Sequence, residues 1–198
     1  YVSIAYAPTV TLASNALTGQ SITATSNGKN IPIHRVELTV GGCGSTLSGF
    51  GFTSSGNYLL SDINNFDLYL TTTLTFNDND SLSSVAVPGV AGSYVYQPFN
   101  KVLAPGTYYV WVTVDLTRTA VNGRTIQVGA TAANDVTVTG NSITGSATGS
   151  GQFTFGRDRT YNSNDTWTVP DCVTEIEIEV WGACLLYTSD AADELRSV

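Results

Sequence analysis

The sequence predicts an all-β protein in which two antiparallel sheets pack face to face, as a sandwich of jelly-roll or Greek-key type. Three observations lead to this prediction. Apolar and polar residues alternate along many short segments, and turn residues separate these segments at intervals of roughly 8 to 12 residues. No segment between them has the spacing of an amphipathic helix. A parallel sheet with crossover helices is therefore not expected.

The first strands are predicted in the runs YVSIAY and TVTLAS, which Pro8 separates, and a short edge strand is expected over residues 22–26. The next strand, IPIHRVELTV, places Val36, Leu38 and Val40 on one face. The two isoleucines before His34 are apolar in the opposite phase. Because one extra residue reverses the side of every later side chain, a β-bulge is predicted near His34.

The middle of the chain continues the alternation. Phe50 and Phe52 alternate with glycines in one strand. In DINNFDLYL, Phe66, Leu68 and Leu70 are expected to point inward, and this strand is expected to extend through residues 71–75 to the polar turn FNDND. Two brief strands follow, over residues 85–87 and 94–96.

The central strand is predicted in GTYYVWVTVDL, residues 106–116. Its even-numbered side chains are apolar and need a core, and Tyr109 and Trp111 also make the start of the second face apolar. A strand with two apolar faces belongs in the middle of a sheet. Pro105 and Gly106 form the turn before it.

Three more strands are expected after the Asn122-Gly123 turn, over residues 126–130, 135–139 and 152–155. Between the last two, the Gly/Ser/Thr-rich tract of residues 140–151 interrupts the strand pattern. We place the end of the sandwich module at residue 156, because residues 157–165 have the composition of a polar linker.

Residues 166–183 are predicted to open a second β domain that is truncated. In that segment Ile176, Ile178 and Val180 alternate with three glutamates. The last residues, 184–198, lose the β pattern, and residues 185–194 resemble a translated sequencing adapter. We therefore interpret the tail as an artefact and the chain as a fragment of a longer protein.

Composition limits the function. Charged residues make up 12% of the 198 residues, the formal net charge is −8, and the only lysines are Lys29 and Lys101. A protein with this balance has no basic surface for nucleic acid. No run approaches the roughly 20 apolar residues of a membrane helix, so no membrane insertion is expected. The low charge and abundant Thr, Ser, Asn and Gly are typical of an extracellular β protein.

Cysteine and histidine offer little for a metal or a redox site. Cys43, Cys172 and Cys184 cannot all pair within the chain. A disulfide between Cys43 and Cys172 is an alternative that sequence spacing alone does not favour. His34, the only histidine, lies in a different segment from every cysteine, so a zinc site is not expected, and a structural role is favoured over a catalytic one.

Two groups of residues are candidate sites. Tyr69, Tyr109 and Trp111, together with Tyr94 and Tyr96, could form an aromatic platform for a glycan or a protein partner, and the first three are the candidate contact residues. The alternative, which we favour, is that these rings pack within the protein. Asp78 and Asp80 lie in the FNDND turn and carry the oxygen ligands that Ca²⁺ prefers. The favoured alternative for this turn is a solvated hairpin, and no other cofactor is expected.

Residues 21–155 resemble the N-terminal β-sandwich module that precedes BNR-repeat neuraminidases and other secreted proteins of Bacteroidota. The likeness is carried by IPIHRVELTVGGCGSTLSGFGFTSSG, by DINNFDLYL, and by YVYQPFNKVLAPGTYYVWVTVDLTRTAVNGRTIQVGATA. Asp62-Ile63, the block from Pro105 to Asp115, and Ala120 with Asn122-Gly123 recur in order. The segment TWTVPDCVTEIEIEVWGA separately resembles the start of a glycine-rich surface domain.

The resemblance implies a non-catalytic accessory module of a larger secreted or cell-surface protein, often exported by type IX secretion. Such a module serves as a spacer or as a contact domain for a protein or glycan, and its partners are the other domains of the same polypeptide. The alternatives are a carbohydrate-binding module, which needs at least two of the three candidate rings exposed and coplanar, and an accessory part of a sialidase. Resemblance to the module does not bring enzymatic activity with it, so we expect no enzyme.

Overall fold

The structure is a computed structural model, which describes residues 9–23, 29–86, 91–140 and 142–156, together with Thr166. The chain divides into two compact units, Tyr1–Arg159 and Thr160–Val198. The fold described below belongs to the first unit. Several predictions of the sequence lie outside the described residues: the YVSIAY run, the end of the first edge strand, the linker 157–165, Cys172, and, apart from Thr166, the second β domain and the tail.

The first sheet has seven strands. They are β1 (Thr9–Ser14), β3 (Ile31–Val40), β5 (Ile63–Thr71), β6 (Ser81–Ala86), β9 (Gly106–Leu116), β11 (Thr131–Ala132) and β13 (Ser142–Ala147), in the order β11-β13-β1-β3-β9-β5-β6. All neighbours are antiparallel except β1 and β13, which are parallel.

The second sheet also has seven strands. They are β2 (Ser21–Thr23), β4 (Ser45–Gly56), β7 (Ser93–Tyr96), β8 (Lys101–Leu103), β10 (Thr125–Val128), β12 (Val136–Thr139) and β14 (Phe153–Gly156). The order is β12-β4-β10-β14-β2, and β7 and β8 also pair with β4. Only β14 and β2 are parallel. The predicted all-β sandwich is confirmed, with two parallel pairs in otherwise antiparallel sheets.

The two sheets share one core. The central position predicted for β9 is confirmed, because it pairs along most of its length with β3 on one side and β5 on the other. Val110, Val112 and Val114 are buried on its inner face. Phe66 of the first sheet meets Phe52 and Tyr94 of the second, with ring centroids 5.3 Å and 4.9 Å away. Burial of each such side chain contributes about 1.5–3 kcal/mol.

The predicted bulge at His34 is also confirmed. Pro32 of β3 pairs with Thr113 of β9, and His34 pairs with Val112, so Ile33 is the extra residue. Both Ile33 and His34 are buried as a result. The extra residue explains why the apolar positions before and after His34 differ in phase.

The prediction that residues 140–151 interrupt the strand pattern is wrong, because this tract contains β13. Its glycines are needed where backbones meet closely. A Cβ atom on Gly151 would lie 2.0 Å from the amide nitrogen of Gly19, and Gly145 combines a φ of +85° with close approach to the carbonyl oxygen of Leu12. Within β13 itself, Gly145 and the small polar residues around it conceal the apolar alternation that identifies strands in sequence.

Strand boundaries differ from the prediction at two other places. β5 ends at Thr71 and does not continue to residue 75, because the chain bends there toward the outer side of the first sheet. The short strands β8 and β11 were not predicted, since three and two residues are too few to display a period. None of the described residues belongs to a helix that could span a bilayer.

Candidate functional site

The outer face of the first sheet carries the residues that the sequence singles out. On this face Trp111 of β9 lies opposite Tyr69 of β5 and opposite Arg35 of β3. Tyr109 precedes Trp111 on the same side of β9. We call this surface the aromatic face, and it consists of Arg35, Tyr69, Phe76, Tyr109 and Trp111.

Trp111 is covered on the aromatic face and is 3% exposed. The Arg35 guanidinium lies 4.9 Å from the centre of the indole, and the ring of Phe76 lies 5.4 Å away, edge to face. The indole Nε1–H donates to Oγ1 of Thr71 at 2.8 Å. Arg35 is held in turn, since its Nε–H donates to the carbonyl oxygen of Asn15 at 2.9 Å.

Tyr69 is 6% exposed and also lies beneath Phe76, with ring centroids 5.3 Å apart. Its hydroxyl donates to Oδ1 of Asn30 at 2.7 Å. Burial raises the pKa of the Tyr69 hydroxyl, and the carboxylates of Asp67 and Asp115 act in the same direction. The phenol is therefore neutral at physiological pH and serves as a hydrogen-bond donor.

The structure brings Tyr69 and Trp111 together but does not expose them. Tyr109 is half-buried on the same face, whereas Tyr94 and Tyr96 point into the core. The carbohydrate-binding alternative needs at least two of the three candidate rings exposed and coplanar, and the burial of Tyr69 and Trp111 does not meet that condition. A contact role for Tyr109 stays a prediction.

Two carboxylates lie beside the aromatic face. Oδ1 of Asp115 accepts a hydrogen bond from the backbone N–H of Asn30 at 2.6 Å, and Oδ2 of Asp67 accepts one from the side-chain amide of Asn65 at 2.5 Å. Burial raises the pKa of Asp67, and the nearby Asp115 adds to that effect. Among the described residues, no three His, Cys, Asp or Glu side chains converge as metal ligands would.

Phe76 and Arg35 of the aromatic face were not identified from the sequence, nor was Asn30, which accepts the hydrogen bond from the Tyr69 hydroxyl. Phe76 belongs to the FNDND turn, for which the sequence predicts a solvated hairpin or a calcium site but no contact of the phenylalanine ring. Asn30 has a positive φ of 56°, which is uncommon for a residue other than glycine. A lone phenylalanine in a polar turn can indicate that the turn folds back onto the protein, because the aromatic ring is stabilised by packing on an apolar surface.

The proposed calcium ligands lie in the same turn. Oδ1 of Asp80 is 3.7 Å from Nζ of Lys101, and both side chains are exposed. The backbone N–H of Asn79 donates to Oδ1 of Asn77 at 3.3 Å, as in a solvated turn. Calcium binding by Asp78 and Asp80 stays a prediction.

His34 is fully buried on the inner side of β3. Its Nε2 is 3.1 Å from Oγ1 of Thr131, and its Nδ1 is buried with no hydrogen-bond partner among the described residues. Burial lowers the pKa of His34 to about 4. The imidazole is therefore neutral at physiological pH and joins β3 to the short strand β11.

Asp62 is the most completely bonded carboxylate among the described residues. Its Oδ2 accepts hydrogen bonds from the Leu59 N–H at 2.7 Å and from Nη1 of Arg124 at 2.6 Å, and its Oδ1 accepts one from the Val121 N–H at 3.0 Å. Burial alone would raise its pKa, but the Arg124 guanidinium and the two amides outweigh burial and lower it. Asp62 thus joins the loop before β5 to the loop before β10.

This contact, which we call the Asp62 clamp, contains three of the residues that carry the resemblance noted in the sequence. Ala120 is buried within the clamp, and Gly123 has a φ of +81° and donates its N–H to the carbonyl oxygen of Phe155 at 2.8 Å. Asp62, Ala120 and Gly123 therefore have structural reasons for their identity. They connect the loop before β5, the loop before β10 and strand β14 at one end of the sandwich.

The surface cavities in the described part of the chain include one of about 230 Å³ beside Leu17, Pro32 and Trp111. Another, of about 410 Å³, lies beside β12 and the start of β13, and we call it the edge groove. Neither has a charged residue in its lining. The edge groove is lined by Ala133, Asn134, Val136, Thr137, Val138, Ser142 and Ile143.

Comparison with known proteins identifies no family. No protein-family model matches the chain, and no curated protein matches it. A solved structure of a cohesin–dockerin complex, CaDoc0917 with CaCohA2, contains a chain that is 15% identical over 75% of this chain and 100% of that chain, with a TM-score of 0.33. Similarity at this level carries no argument about the function of this protein.

Proposed function

We propose that this chain is a non-catalytic β-sandwich module of a larger secreted or cell-surface protein, and that it serves as a spacer or a contact domain. One observation carries the proposal. The side chains that could take part in catalysis or binding are engaged in contacts within the fold. Asp62 is bonded to two loops, His34 to Thr131, and Trp111 is enclosed by Arg35 and Phe76. Groups committed to such contacts stabilise a fold and are not presented to a substrate.

The resemblance to the module ahead of BNR-repeat neuraminidases supports an exported protein of several domains. The residues that carry this resemblance form the Asp62 clamp and the central strand β9, so the resemblance concerns the sandwich itself. An accessory role beside a sialidase domain is one form of the proposal. It concerns the longer protein and not the chemistry of this chain.

Enzymatic assay and glycan binding test the proposal directly. The purified chain is incubated with a fluorogenic sialoside and with a panel of aryl glycosides, and release of the fluorophore is compared with buffer. We expect no difference. Turnover that is lost in the His34→Gln variant would overturn the non-catalytic assignment.

A glycan array distinguishes the two kinds of contact domain. Because Tyr109 is the candidate ring with remaining open surface, any glycan binding should be lost in Tyr109→Ala and retained in Val102→Ala, a variant on the outer face of the other sheet. Binding that survives both substitutions would place the glycan contact elsewhere. The uninterrupted reading frame should encode an export signal, and its absence would contradict the extracellular location.

A further inference from the structure

The end of the sandwich that holds the Asp62 clamp also exposes large aliphatic side chains. Leu59, Leu60 and Val121 are 44%, 54% and 45% exposed, and they are three of the six large apolar residues that are exposed in the described part of the chain. The backbone N–H groups of Leu59 and Val121 both donate to the Asp62 carboxylate, so their nitrogen atoms lie less than about 8 Å apart. We call these three residues, together with Arg118, the clamp patch.

Hydrogen bonds fix the backbone beneath the clamp patch. The Thr117 N–H donates to the carbonyl oxygen of Asp62 at 2.8 Å. Oγ1 of Thr119 donates to the carbonyl oxygen of Ser61 at 3.2 Å, so the turn that carries Arg118 is bonded on both sides of that residue. The leucines and Arg118 therefore lie on a preorganised surface. A partner that binds them loses little free energy to the ordering of this loop.

The charge of the clamp patch is opposite to that of the chain as a whole. The segments that form this end, residues 57–66 and 117–125, contain Arg118, Arg124 and a single carboxylate, that of Asp62. Asp62 is fully buried and lies 2.6 Å from Nη1 of Arg124. Arg118 is exposed and has no ion pair among the described residues. Because the formal net charge of the chain is −8, this end is a local positive site that favours a partner with a carboxylate.

The size of the clamp patch favours a short segment over a second copy of this chain. A stable interface between globular proteins buries about 800 Å² on each partner, and three half-exposed aliphatic side chains supply far less. In a two-fold contact the patch would face itself, so that the Arg118 side chains of the two copies would repel each other. The patch has no aromatic ring on which a sugar could stack, and the net charge of −8 disfavours an anionic membrane.

We propose that the clamp patch binds a short acidic segment of a partner protein, with apolar side chains of the segment on Leu59, Leu60 and Val121 and a carboxylate on Arg118. The proposal rests on the contact-domain form of the proposed function and adds the surface and the chemistry of the partner. The guanidinium fixes the orientation of the segment through charge-assisted hydrogen bonds, and the aliphatic side chains contribute apolar burial. A contact of this size is typical of transient association.

Selection of a phage-displayed library of random peptides on the full chain tests the proposal. We expect enriched peptides to combine leucine, isoleucine or valine with aspartate or glutamate. Binding of a synthetic enriched peptide should fall at least about tenfold in Leu60→Ser and in Arg118→Glu. It should change less than about twofold in the matched controls Val102→Ser and Lys101→Glu, which alter an exposed valine and an exposed cation elsewhere. All four variants should unfold at the same urea concentration as the unsubstituted chain, because the changed side chains lie at the surface.

A charge exchange separates specific recognition from general adhesion. Arg118→Glu should bind a peptide whose acidic residue is replaced by lysine more tightly than it binds the original peptide. Peptides that bind Leu60→Ser as well as the unsubstituted chain would overturn the proposal. Leu60-dependent sedimentation with vesicles of phosphatidylserine and phosphatidylcholine, without peptide binding, would assign the patch to a membrane surface and would also overturn it. Neither result affects the non-catalytic assignment, which the sialoside and glycoside assays test separately.

Discussion

On both outer faces of the sandwich, large apolar side chains alternate along the strands, but their exposure to solvent differs greatly between the two faces. On the first sheet, Tyr69 and Trp111 point outward and are 6% and 3% exposed. On the second sheet, Val95 and Val102 point outward and are 61% and 77% exposed. Large aromatic residues on an outer face therefore do not identify a binding surface in this protein. They identify the face that another part of the chain covers.

The covering segment explains the difference. The chain between β5 and β6 returns across the first sheet, so that Phe76 packs on both Tyr69 and Trp111. The second sheet has glycines on the outer side of its long strand β4, and Gly51 pairs with the exposed Val95. Burial on the covered face should contribute to stability, whereas side chains on the open face should contribute little. The following predictions test this contrast in order of expected effect.

The largest effect is expected from Trp111→Ala. This substitution removes contacts with Arg35, Phe76 and Thr71 and should lower the free energy of unfolding by about 3–5 kcal/mol. Val102→Ala, on the open face, should change it by less than about 0.5 kcal/mol. Urea denaturation of both variants measures the difference. Similar losses in the two variants would mean that the two faces are energetically alike.

The next effect concerns His34, which lies in the core between the faces. Because burial lowers its pKa from 6.5 to about 4, the stability associated with the neutral imidazole is complete above pH 6.5. It should be lost progressively as the pH falls from 6.5 to 4, by about 3 kcal/mol. Urea denaturation at several pH values measures this loss. The non-titrating variant His34→Gln should show a flatter profile, and an unchanged slope would contradict the assignment.

Asp67, on the covered face, should have a smaller effect on the free energy of unfolding, and its pH dependence should be opposite in sign to that of His34. Its raised pKa means that the neutral carboxyl stabilises the fold below the unfolded pKa of 3.8, and that this contribution is lost as the pH rises through the folded pKa. Asp67→Asn removes the buried charge and should stabilise the protein at pH 7 by about 1 kcal/mol. Thermal unfolding at pH 7 and pH 4 checks it, since the gain should disappear at the lower pH.

The smallest effect is expected on the open face, from Gly51→Ala. An added Cβ would lie 3.5 Å from its nearest neighbours, the carbonyl oxygens of Asp135 and Tyr94, which is ordinary contact. Because glycine weakens a strand, the substitution should stabilise the protein by about 0.5 kcal/mol. At Gly49 the new atom would lie 2.9 Å from the side chain of Gln97, so Gly49→Ala should gain less. If Gly51→Ala instead lowered the free energy of unfolding as much as Trp111→Ala, this face would be covered as well.

Most strands could be predicted because their period is visible in a few residues. The alternation in β9 predicted both its strand and its central place, and the change of phase at His34 predicted the bulge. β13 could not be predicted, since its glycine, Gly145, is required by the close approach of Leu12, a residue distant in sequence. The clamp residue Asp62 drew attention only through a resemblance. Its partners Leu59, Val121 and Arg124 come together through folding.

Local residue patterns establish which side chains alternate, where turns interrupt the chain, and hence that two sheets enclose a common core. These properties depend on neighbouring residues, and the geometry of an extended backbone translates them directly into faces. Which outer face is covered is established by folding, because it depends on where a loop such as residues 72–80 lies in the folded chain. Whether a tyrosine or tryptophan binds a partner or packs inside therefore depends on contacts between distant segments, which no local pattern records.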